Sequence, residues 1–255
     1  MNQTTLQKMR SREMRGGTWM TVGAPVITEL ATQYNFDWLL LDLEHGYCSE
    51  SDVLSNMQAV RNSGVALIVR VGQLEPAWIA RILDWGAHGI MLPHVDTAAK
   101  AKACVEAMCY PPEGKRGFSS SARVYAFGQD EYSGEMAAPL FFAQIETQMA
   151  IDHVDAIAAV QGVDVLFVGP SDLRMDLNAG GKGQTGAFDA ALEQVVRAAQ
   201  AWGKIPGILA RSPEDVHRYR QMGFTTIAYG SDLTVLKEGF HRAAQQLTDA
   251  AKPMP

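Results

Sequence analysis

Polar residues follow several strongly apolar runs, and their types could support metal-assisted or acid–base chemistry. Gln144 and Glu146 are two positions apart, so in a β-strand they share one face. An ionised glutamate on a buried face needs a partner, and Asp172, which follows the next apolar run, is the obvious second ligand for a divalent cation. Carboxylate oxygens suit Mg²⁺ or Mn²⁺ better than zinc. The structural alternatives are an ion pair between Glu146 and Arg70, or a helix cap formed by Asp172.

Arginine and histidine residues at other predicted strand ends are candidates for catalysis. Arg70 follows a buried run, and its guanidinium could bind a carboxylate through two hydrogen bonds; the alternative is a salt bridge to Asp42 or Glu44. His45 is a candidate general base because the ordinary pKa of imidazole lies near neutral pH. The alternative for His45 is a hydrogen-bonded structural role. His94 has a similar position and a weaker case.

Several chemistries are disfavoured by what the sequence lacks. No lysine occupies a predicted inward strand position, which argues against a Schiff-base aldolase. Neither GxSxG nor GxxxxGK followed by Ser or Thr occurs, so the hydrolase elbow and the phosphate-binding loop of NTPases are absent. The three cysteines form no CxxC pattern, and this argues against a disulfide framework and a structural zinc site.

The elements that would position these residues are short apolar runs separated by helical patterns. Most runs lack polar alternation, which predicts strands covered on both faces, as in a parallel sheet. The eight candidate strands are 18–23, 38–44, 66–71, 89–93, 140–145, 163–168, 205–209 and 225–228. Eight βα units in about 250 residues predict a closed (β/α)₈ TIM barrel, in one domain over residues 1–255. The alternative, an open doubly wound sheet, lacks its GxGxxG after the first strand.

Helix boundary signals support repeated βα units. Residues 49–52 (SESD) predict a helix start and 63–64 (SG) its end, while 212–213 (SP) and 222–223 (MG) bound a later helix. The segment 110–138 is long for a connection, which predicts a role at the active site or in a subunit contact.

Charge and hydropathy limit the partners. The formal net charge is −6 and no basic stripe occurs, so nucleic acid is not an expected partner. Residues 1–17 are basic without an apolar core, and no apolar run approaches the roughly 18 residues that a membrane span needs. We therefore expect a cytoplasmic protein that does not insert into membranes.

Six motifs, in order and with fitting spacing, resemble those of the HpcH/HpaI aldolase and citrate lyase family. The likeness is to its metal-dependent class II pyruvate aldolases, of the 4-hydroxy-2-oxoheptanedioate or hydroxy-ketoacid type, and it runs through most of the chain. The motifs are 42–46 (DLEHG), 69–71 (VRV), 86–93 (GAHGIMLP), 110–117 (YPPEGKRG), 144–147 (QIET) and 167–173 (FVGPSDL).

The resemblance implies a metal and pyruvate site. Glu146 and Asp172 would bind a divalent ion, Mg²⁺ or Mn²⁺ and possibly Co²⁺, without an organic cofactor. Pyruvate would chelate this ion, and Gln144, Ser171 and Asp172 would complete its pocket. The implied reaction is reversible cleavage of a 4-hydroxy-2-oxo acid into pyruvate and an aldehyde.

The resemblance also implies the catalytic residues and the assembly. Arg70 would bind substrate and stabilise charge on the reacting oxygens, and His45 would be the base, made more basic by Asp84. The family suggests a homo-oligomer, commonly a hexamer.

Two departures from the family pattern leave the aldehyde open. Arg174 stands where a small or neutral residue is expected and could recognise a distal carboxylate or hydroxyl groups, or pair with Asp176. Residues 178–186 are unusually rich in glycine. The alternative functions are an acyl-CoA lyase of the citryl-CoA or malyl-CoA type, from the same superfamily, and a non-catalytic oligomeric barrel.

Overall fold

The fold is a closed barrel of eight parallel strands, seen in a computed structural model that describes residues 3–129, 138–179 and 186–251. Each strand pairs with the next in sequence, and β8 returns to β1. The strands are β1 (Arg15–Met20), β2 (Trp38–Asp42), β3 (Ala66–Arg70), β4 (Gly89–Leu92), β5 (Leu140–Ile145), β6 (Val165–Val168), β7 (Ile205–Ala210) and β8 (Thr226–Ser231). The predicted (β/α)₈ architecture is confirmed.

Helices follow the strands around the barrel. They are α1 (Gln3–Arg10), α2 (Pro25–Ala31), α3 (Val53–Ala59), α4 (Pro76–Asp84), α5 (Ala98–Met108), α6 (Gln148–Asp152), α7 (Val154–Ala158), α8 (Pro170–Ala179), α9 (Ala187–Ala201), α10 (Pro213–Met222) and α11 (Asp232–Ala250). Two 3₁₀ segments, Glu50–Asp52 and Arg123–Gly128, accompany them. No helix of the described residues is both long and apolar enough to cross a membrane.

The predicted caps explain where two helices begin and end. Ser212 accepts a hydrogen bond from the Asp215 backbone N–H and starts α10, and Gly223 ends it in the left-handed region at φ 106°. Ser49 and Asp52 form a capping box at the predicted helix start, but they open a 3₁₀ turn, so α3 itself begins at Val53.

The first strand lies earlier than predicted. It covers Arg15–Met20, not 18–23, and therefore includes Gly16 and Gly17. Glycine weakens a strand by propensity, yet at Gly17 a Cβ atom would lie 2.3 Å from the Trp38 ring. The close approach of these two strands therefore requires glycine, and pairing with β2 and β8 outweighs the propensity.

The barrel interior is filled by aromatic and aliphatic side chains. Trp38 contacts Phe142 and Phe167 at ring-centroid distances of 5.5 and 5.9 Å, and Trp19 lies 5.6 Å from Phe167. Every second residue of a strand points inward, so Gln144 follows Phe142 on the inward face of β5, and Asp42 follows Trp38 and Leu40 on that of β2. Water is kept out below these polar residues because the aromatic layer is buried.

Two predicted segments lie partly outside the described residues. Of 110–138, the positions 130–137 are not described, and of the glycine-rich stretch 178–186, the positions 180–185 are not described. Their predicted roles in a subunit contact or at the barrel mouth stay predictions.

Candidate active site

A cavity of about 540 Å³ opens at the carboxyl ends of the strands. In TIM barrels this end carries the active site, because loops from all eight strands converge there. Apolar walls come from Trp19, Phe167 and Leu209. Five of the predicted site residues line the same cavity: His45, Arg70, Gln144, Ser171 and Asp172.

Glu146 and Gln144 project inward from the end of β5. Their neighbours Phe141, Ala143 and Ile145 pack outward against helices, which confirms the predicted alternation. Glu146 is 2% exposed; its Oε1 accepts the His94 backbone N–H at 2.7 Å, and its Oε2 accepts a hydrogen bond from Gln144 Nε2.

Burial raises the pKa of Glu146 above its ordinary value. The His94 backbone N–H and the charge of the His94 ring oppose this shift, while the negative charges of Glu44 and Asp172 add to it. A buried carboxylate with two other carboxylates nearby favours a bound cation, because a cation would offset their negative charge.

The donors at this position fit a divalent cation that prefers oxygen. Gln144 Oε1 is buried and has no hydrogen-bond partner among the described residues, and Asp172 lies in the first turn of α8. At Gly169 a Cβ atom would lie 2.6 Å from Glu146 Oε2 and 2.8 Å from Gln144 Nε2, so only glycine leaves this space open. Within the described ranges no three His, Cys, Asp or Glu side chains form a cage, so water or substrate would complete the coordination, as Mg²⁺ sites commonly require.

A buried ion-pair network holds Arg70 at the cavity wall. Its Nε and Nη2 donate to the two carboxylate oxygens of Asp42 at 3.0 and 2.6 Å, and Nη1 lies 2.9 Å from Glu44 Oε2. The salt bridges considered as a structural alternative from the sequence are therefore present. Two of the five guanidinium N–H groups remain for other acceptors.

Asp42 organises the loop that carries His45. Its Oδ1 accepts the backbone N–H groups of Glu44 and His45 at 3.0 and 3.1 Å. Burial raises the pKa of Asp42, whereas the hydrogen bond and charge of Arg70 and the two backbone N–H groups lower it. The lowering effects outweigh burial, so the pKa of Asp42 lies below its ordinary value. His45 is exposed and its side chain lines the cavity, where it is accessible to a substrate.

Asp84 and His94 make contacts that the sequence did not predict. Asp84 is the last residue of α4, and its Oδ1 accepts a hydrogen bond from Arg116 Nη2 at 2.5 Å. It does not line the cavity that holds His45, so its predicted effect on that base stays a prediction. His94, considered as a second base, donates its backbone N–H to Glu146 from a left-handed conformation at φ 50°, and its ring Nδ1 lies 3.4 Å from Glu146 Oε1.

Of the two alternatives for Arg174, the pair with Asp176 is wrong, and recognition of a substrate group stays a prediction. Its guanidinium carbon lies 3.9 Å from the centre of the Phe188 ring, outside the cavity wall. Asp176 does not pair with Arg174, because its Oδ2 accepts the backbone N–H of Gln148 at 2.7 Å. The stacking partner is on α9, and sequence spacing gave no sign of this contact.

Three residues that line the cavity were missed or given only a structural role from the sequence. They are Asp42, Gly169 and Arg211. Arg211 directly follows β7, and the rule that polar residues after barrel strands face the mouth would have identified it.

Comparisons with known proteins agree with this geometry. A family profile described as HpcH/HpaI aldolase/citrate lyase matches residues 15–238. A 5-keto-4-deoxy-D-glucarate aldolase of Escherichia coli is 39% identical over 96% of this chain and 94% of its own length. A family protein from Burkholderia cenocepacia superposes with TM-score 0.89 at 30% identity, covering 97% of this chain and all of that one. An HpcH/HpaI aldolase from Desulfitobacterium hafniense gives TM-score 0.87 at 26% identity, over 97% and 96% of the two chains.

Fold and site together define a (β/α)₈-barrel enzyme with an acidic active site at the carboxyl ends of its strands. The chain belongs to the HpcH/HpaI aldolase/citrate lyase family, and it is a carbon–carbon lyase. The family depends on a divalent metal, which agrees with the oxygen donors at the end of β5.

Proposed function

We propose that this enzyme reversibly cleaves a 4-hydroxy-2-oxo acid into pyruvate and an aldehyde. The observation that carries the proposal is that Gln144 and Asp172 line one cavity, and that Gln144 donates a hydrogen bond to the buried carboxylate of Glu146 directly behind it. Arg70 and His45 line the same cavity. The relatives named 5-keto-4-deoxy-D-glucarate aldolase support this class of reaction.

Glu146 and Asp172 would hold the divalent cation, Mg²⁺ or Mn²⁺, with Co²⁺ as a further option. When bound, the cation supplies fixed positive charge that stabilises negative charge developing on the 2-keto oxygen. The chain fixes the donors beforehand, because the His94 backbone N–H and Gln144 Nε2 each hold one oxygen of Glu146.

Arg70 would stabilise charge on the reacting oxygens. Its position is set by Asp42 and Glu44, so the guanidinium presents its remaining N–H groups without reorganisation at the moment of reaction. Trp19, 5.6 Å from the Arg70 guanidinium carbon, keeps water from this side.

His45 would act as the general base. In the cleavage direction its ring removes the proton from the 4-hydroxyl group, the C3–C4 bond breaks, and the aldehyde leaves. The electron pair of that bond passes to the pyruvate fragment, whose C3 then takes up a proton. Asp42 restrains the backbone of His45 and so places the ring beside the cavity.

We also propose a homo-oligomer, a hexamer by family resemblance. In support, α11 exposes three large apolar side chains, Val235, Phe240 and Leu247, with 65%, 70% and 74% of their surface accessible in the single chain. Such exposure on one helix is typical of an association surface. Light scattering coupled to gel filtration measures the assembly, and a mass of 27.8 kDa would contradict it.

The test of the proposed activity is pyruvate release from 4-hydroxy-2-oxo acids, followed with lactate dehydrogenase. Chelator-treated enzyme should be inactive and regain activity with Mg²⁺ or Mn²⁺. Glu146→Gln should lose this activity, whereas the matched control Arg197→Ala, on the exposed face of α9, should keep it. Failure of the wild-type enzyme to release pyruvate from any such acid with metal present would refute the proposal.

A further inference from the structure

Asp176 joins the two chain segments that carry the proposed metal ligands. It lies on α8, four residues after Asp172, and its Oδ2 accepts the backbone N–H of Gln148 at 2.7 Å. Gln148 begins α6 and stands two positions after Glu146. This hydrogen bond therefore connects the helix that carries Asp172 to the segment that carries Glu146.

The direction of the Asp172 side chain depends on the placement of α8. Residues four apart lie on one face of a helix, so Asp172 faces the same side as Asp176, toward the chain that follows β5. The negative charge of Asp172 accordingly adds to the raised pKa of Glu146. His94 and Gln144 hold the Glu146 carboxylate directly. The Asp172 carboxylate has no hydrogen bond to another described residue, so its position follows from that of α8.

Apolar packing and a polar contact restrain α8 in different ways. Leu173 and Leu177 are buried and hold the helix against the barrel, but hydrophobic burial is not directional. A hydrogen bond is directional, since it weakens steeply when donor and acceptor are misaligned. A carboxylate acceptor makes such a bond roughly twice as strong as one between neutral groups. Asp176 therefore adds a restraint on the rotation of α8 that apolar burial does not provide.

We infer that Asp176 is a positioning residue, which sets Asp172 relative to Glu146 and thereby the affinity of the site for a divalent cation. The inference rests on the proposed function and adds a residue to its metal site. Asp176 does not line the cavity, so it acts through α8 and not by contact with substrate. Mg²⁺ demands near-ideal octahedral geometry, so a displaced ligand weakens binding. Residues that orient metal ligands typically contribute about 10- to 100-fold in metal affinity.

Two substitutions remove this hydrogen bond, one from each side. Asp176→Ala removes the acceptor. Gln148→Pro removes the donor, because proline has no backbone N–H, and proline is favoured at the first position of a helix, which Gln148 occupies. Thr147 already has the extended backbone that a residue before proline requires, at φ −132° and ψ 159°. Gln148→Pro keeps the charge of Asp176, so it separates positioning from simple attraction between this carboxylate and a cation.

Calorimetric titration of chelator-treated enzyme with Mn²⁺ measures the affinity without catalysis. Asp176→Ala and Gln148→Pro should each raise the Kd at least about tenfold. The double variant should bind Mn²⁺ about as weakly as the weaker single variant, because both changes remove the same hydrogen bond. Asp176→Asn keeps an oxygen that can accept the Gln148 N–H, so its Kd should stay within about threefold of wild type.

Asp152→Ala is the matched control. Asp152 lies on α6 and accepts a hydrogen bond from the side chain of Gln148, whose Nε2 lies 2.7 Å from Asp152 Oδ1, so this bond does not reach α8. The control should bind Mn²⁺ as wild type does, and it also accounts for the Gln148 side chain that Gln148→Pro removes. Thermal unfolding of the metal-free proteins identifies a merely structural role, which would lower the unfolding temperature and leave the Kd unchanged.

The outcomes separate this inference from the proposed function. If wild-type enzyme binds Mn²⁺ and both Asp176→Ala and Gln148→Pro bind it equally well, the role of Asp176 is overturned and the proposed function stands. An equal loss in Asp152→Ala, or a loss in Asp176→Ala and Asp176→Asn that Gln148→Pro does not share, also overturns it. If Asp176→Ala does not fold, Gln148→Pro decides. Wild-type enzyme that binds no Mn²⁺ would refute the proposed metal site together with the inference, whereas binding without pyruvate release would refute the proposed activity alone.

Discussion

Arg70→Ala should strongly destabilise the enzyme, because it leaves buried carboxylates without their cation. Asp42 is 2% exposed and receives two hydrogen bonds from Arg70, and Glu44 receives a third contact at 2.9 Å. Removing one partner of a buried pair costs about 3–5 kcal/mol. Asp42 still accepts the backbone N–H groups of Glu44 and His45 in the variant, and these hydrogen bonds offset part of the cost. We therefore expect the free energy of unfolding to fall by about 3 kcal/mol.

The pH dependence gives this prediction a second signature. Arg70 lowers the pKa of Asp42. The pair therefore stabilises the fold fully above the ordinary pKa of aspartate, and this stabilisation is lost as pH falls through the lowered pKa of Asp42. In Arg70→Ala, Asp42 is buried without the guanidinium, and this raises its pKa. Protonation of Asp42 then removes the unpaired buried charge that destabilises the variant. The difference in stability between wild type and variant should therefore be largest near pH 7, and it should shrink as pH falls through the raised pKa of Asp42 in the variant.

Urea unfolding at pH 7 and pH 4, monitored by circular dichroism, measures both effects. Arg197→Ala is the control, since Arg197 is 67% exposed and forms only a 3.6 Å pair with Glu193 on the same helix. This control should change stability by less than about 0.5 kcal/mol. A loss below about 1 kcal/mol in Arg70→Ala at pH 7, or a loss that does not vary with pH, would refute the reasoning.

Three further predictions concern Glu146 and Gln144 at the end of β5 and the glycine that packs against them. Glu146→Gln should stabilise chelator-treated enzyme by about 1 kcal/mol at pH 7, because the amide carries no buried charge; thermal unfolding measures this. Mg²⁺ at 100 times its Kd should stabilise wild type by about 2.7 kcal/mol and this variant far less, and equal stabilisation would contradict the site. Gly169→Ala should lower kcat about 100-fold with a native circular dichroism spectrum, because its Cβ would displace Glu146 and Gln144. Gly16→Ala, where a Cβ meets nothing within 4 Å, should retain its activity; an equal loss in both variants would count against this explanation.

The sequence predicted the elements that depend on local patterns. Strands β2 to β5 begin at the predicted residues because uninterrupted apolar runs mark strands covered on both faces. The inward direction of Gln144 and Glu146 followed from the strand period alone. The first strand was misplaced because Gly17 is required by a contact with Trp38, which lies 21 positions away and leaves no local signal.

Contacts between elements that are distant in sequence could not be predicted from the sequence. Stacking of Arg174 on Phe188 depends on how α8 and α9 pack, and pairing of Asp84 with Arg116 depends on the path of a long connection. His94 supports Glu146 through a backbone N–H in a left-handed conformation, which its side-chain type does not reveal. Arg211 was identifiable by its position after β7, but its hydrogen bond to Ser171 Oγ is visible only when β7 and α8 are placed.

The central claim is that this cavity activates C3 of pyruvate with a divalent cation held by Glu146 and Asp172. Proton exchange at C3 of pyruvate in D₂O, followed by NMR, tests it without any choice of aldehyde. Exchange should be absent in chelator-treated enzyme, appear with Mg²⁺ or Mn²⁺, and stay absent in Glu146→Gln under the same conditions. Exchange that proceeds without metal, or that Glu146→Gln supports as well as wild type, would contradict the account.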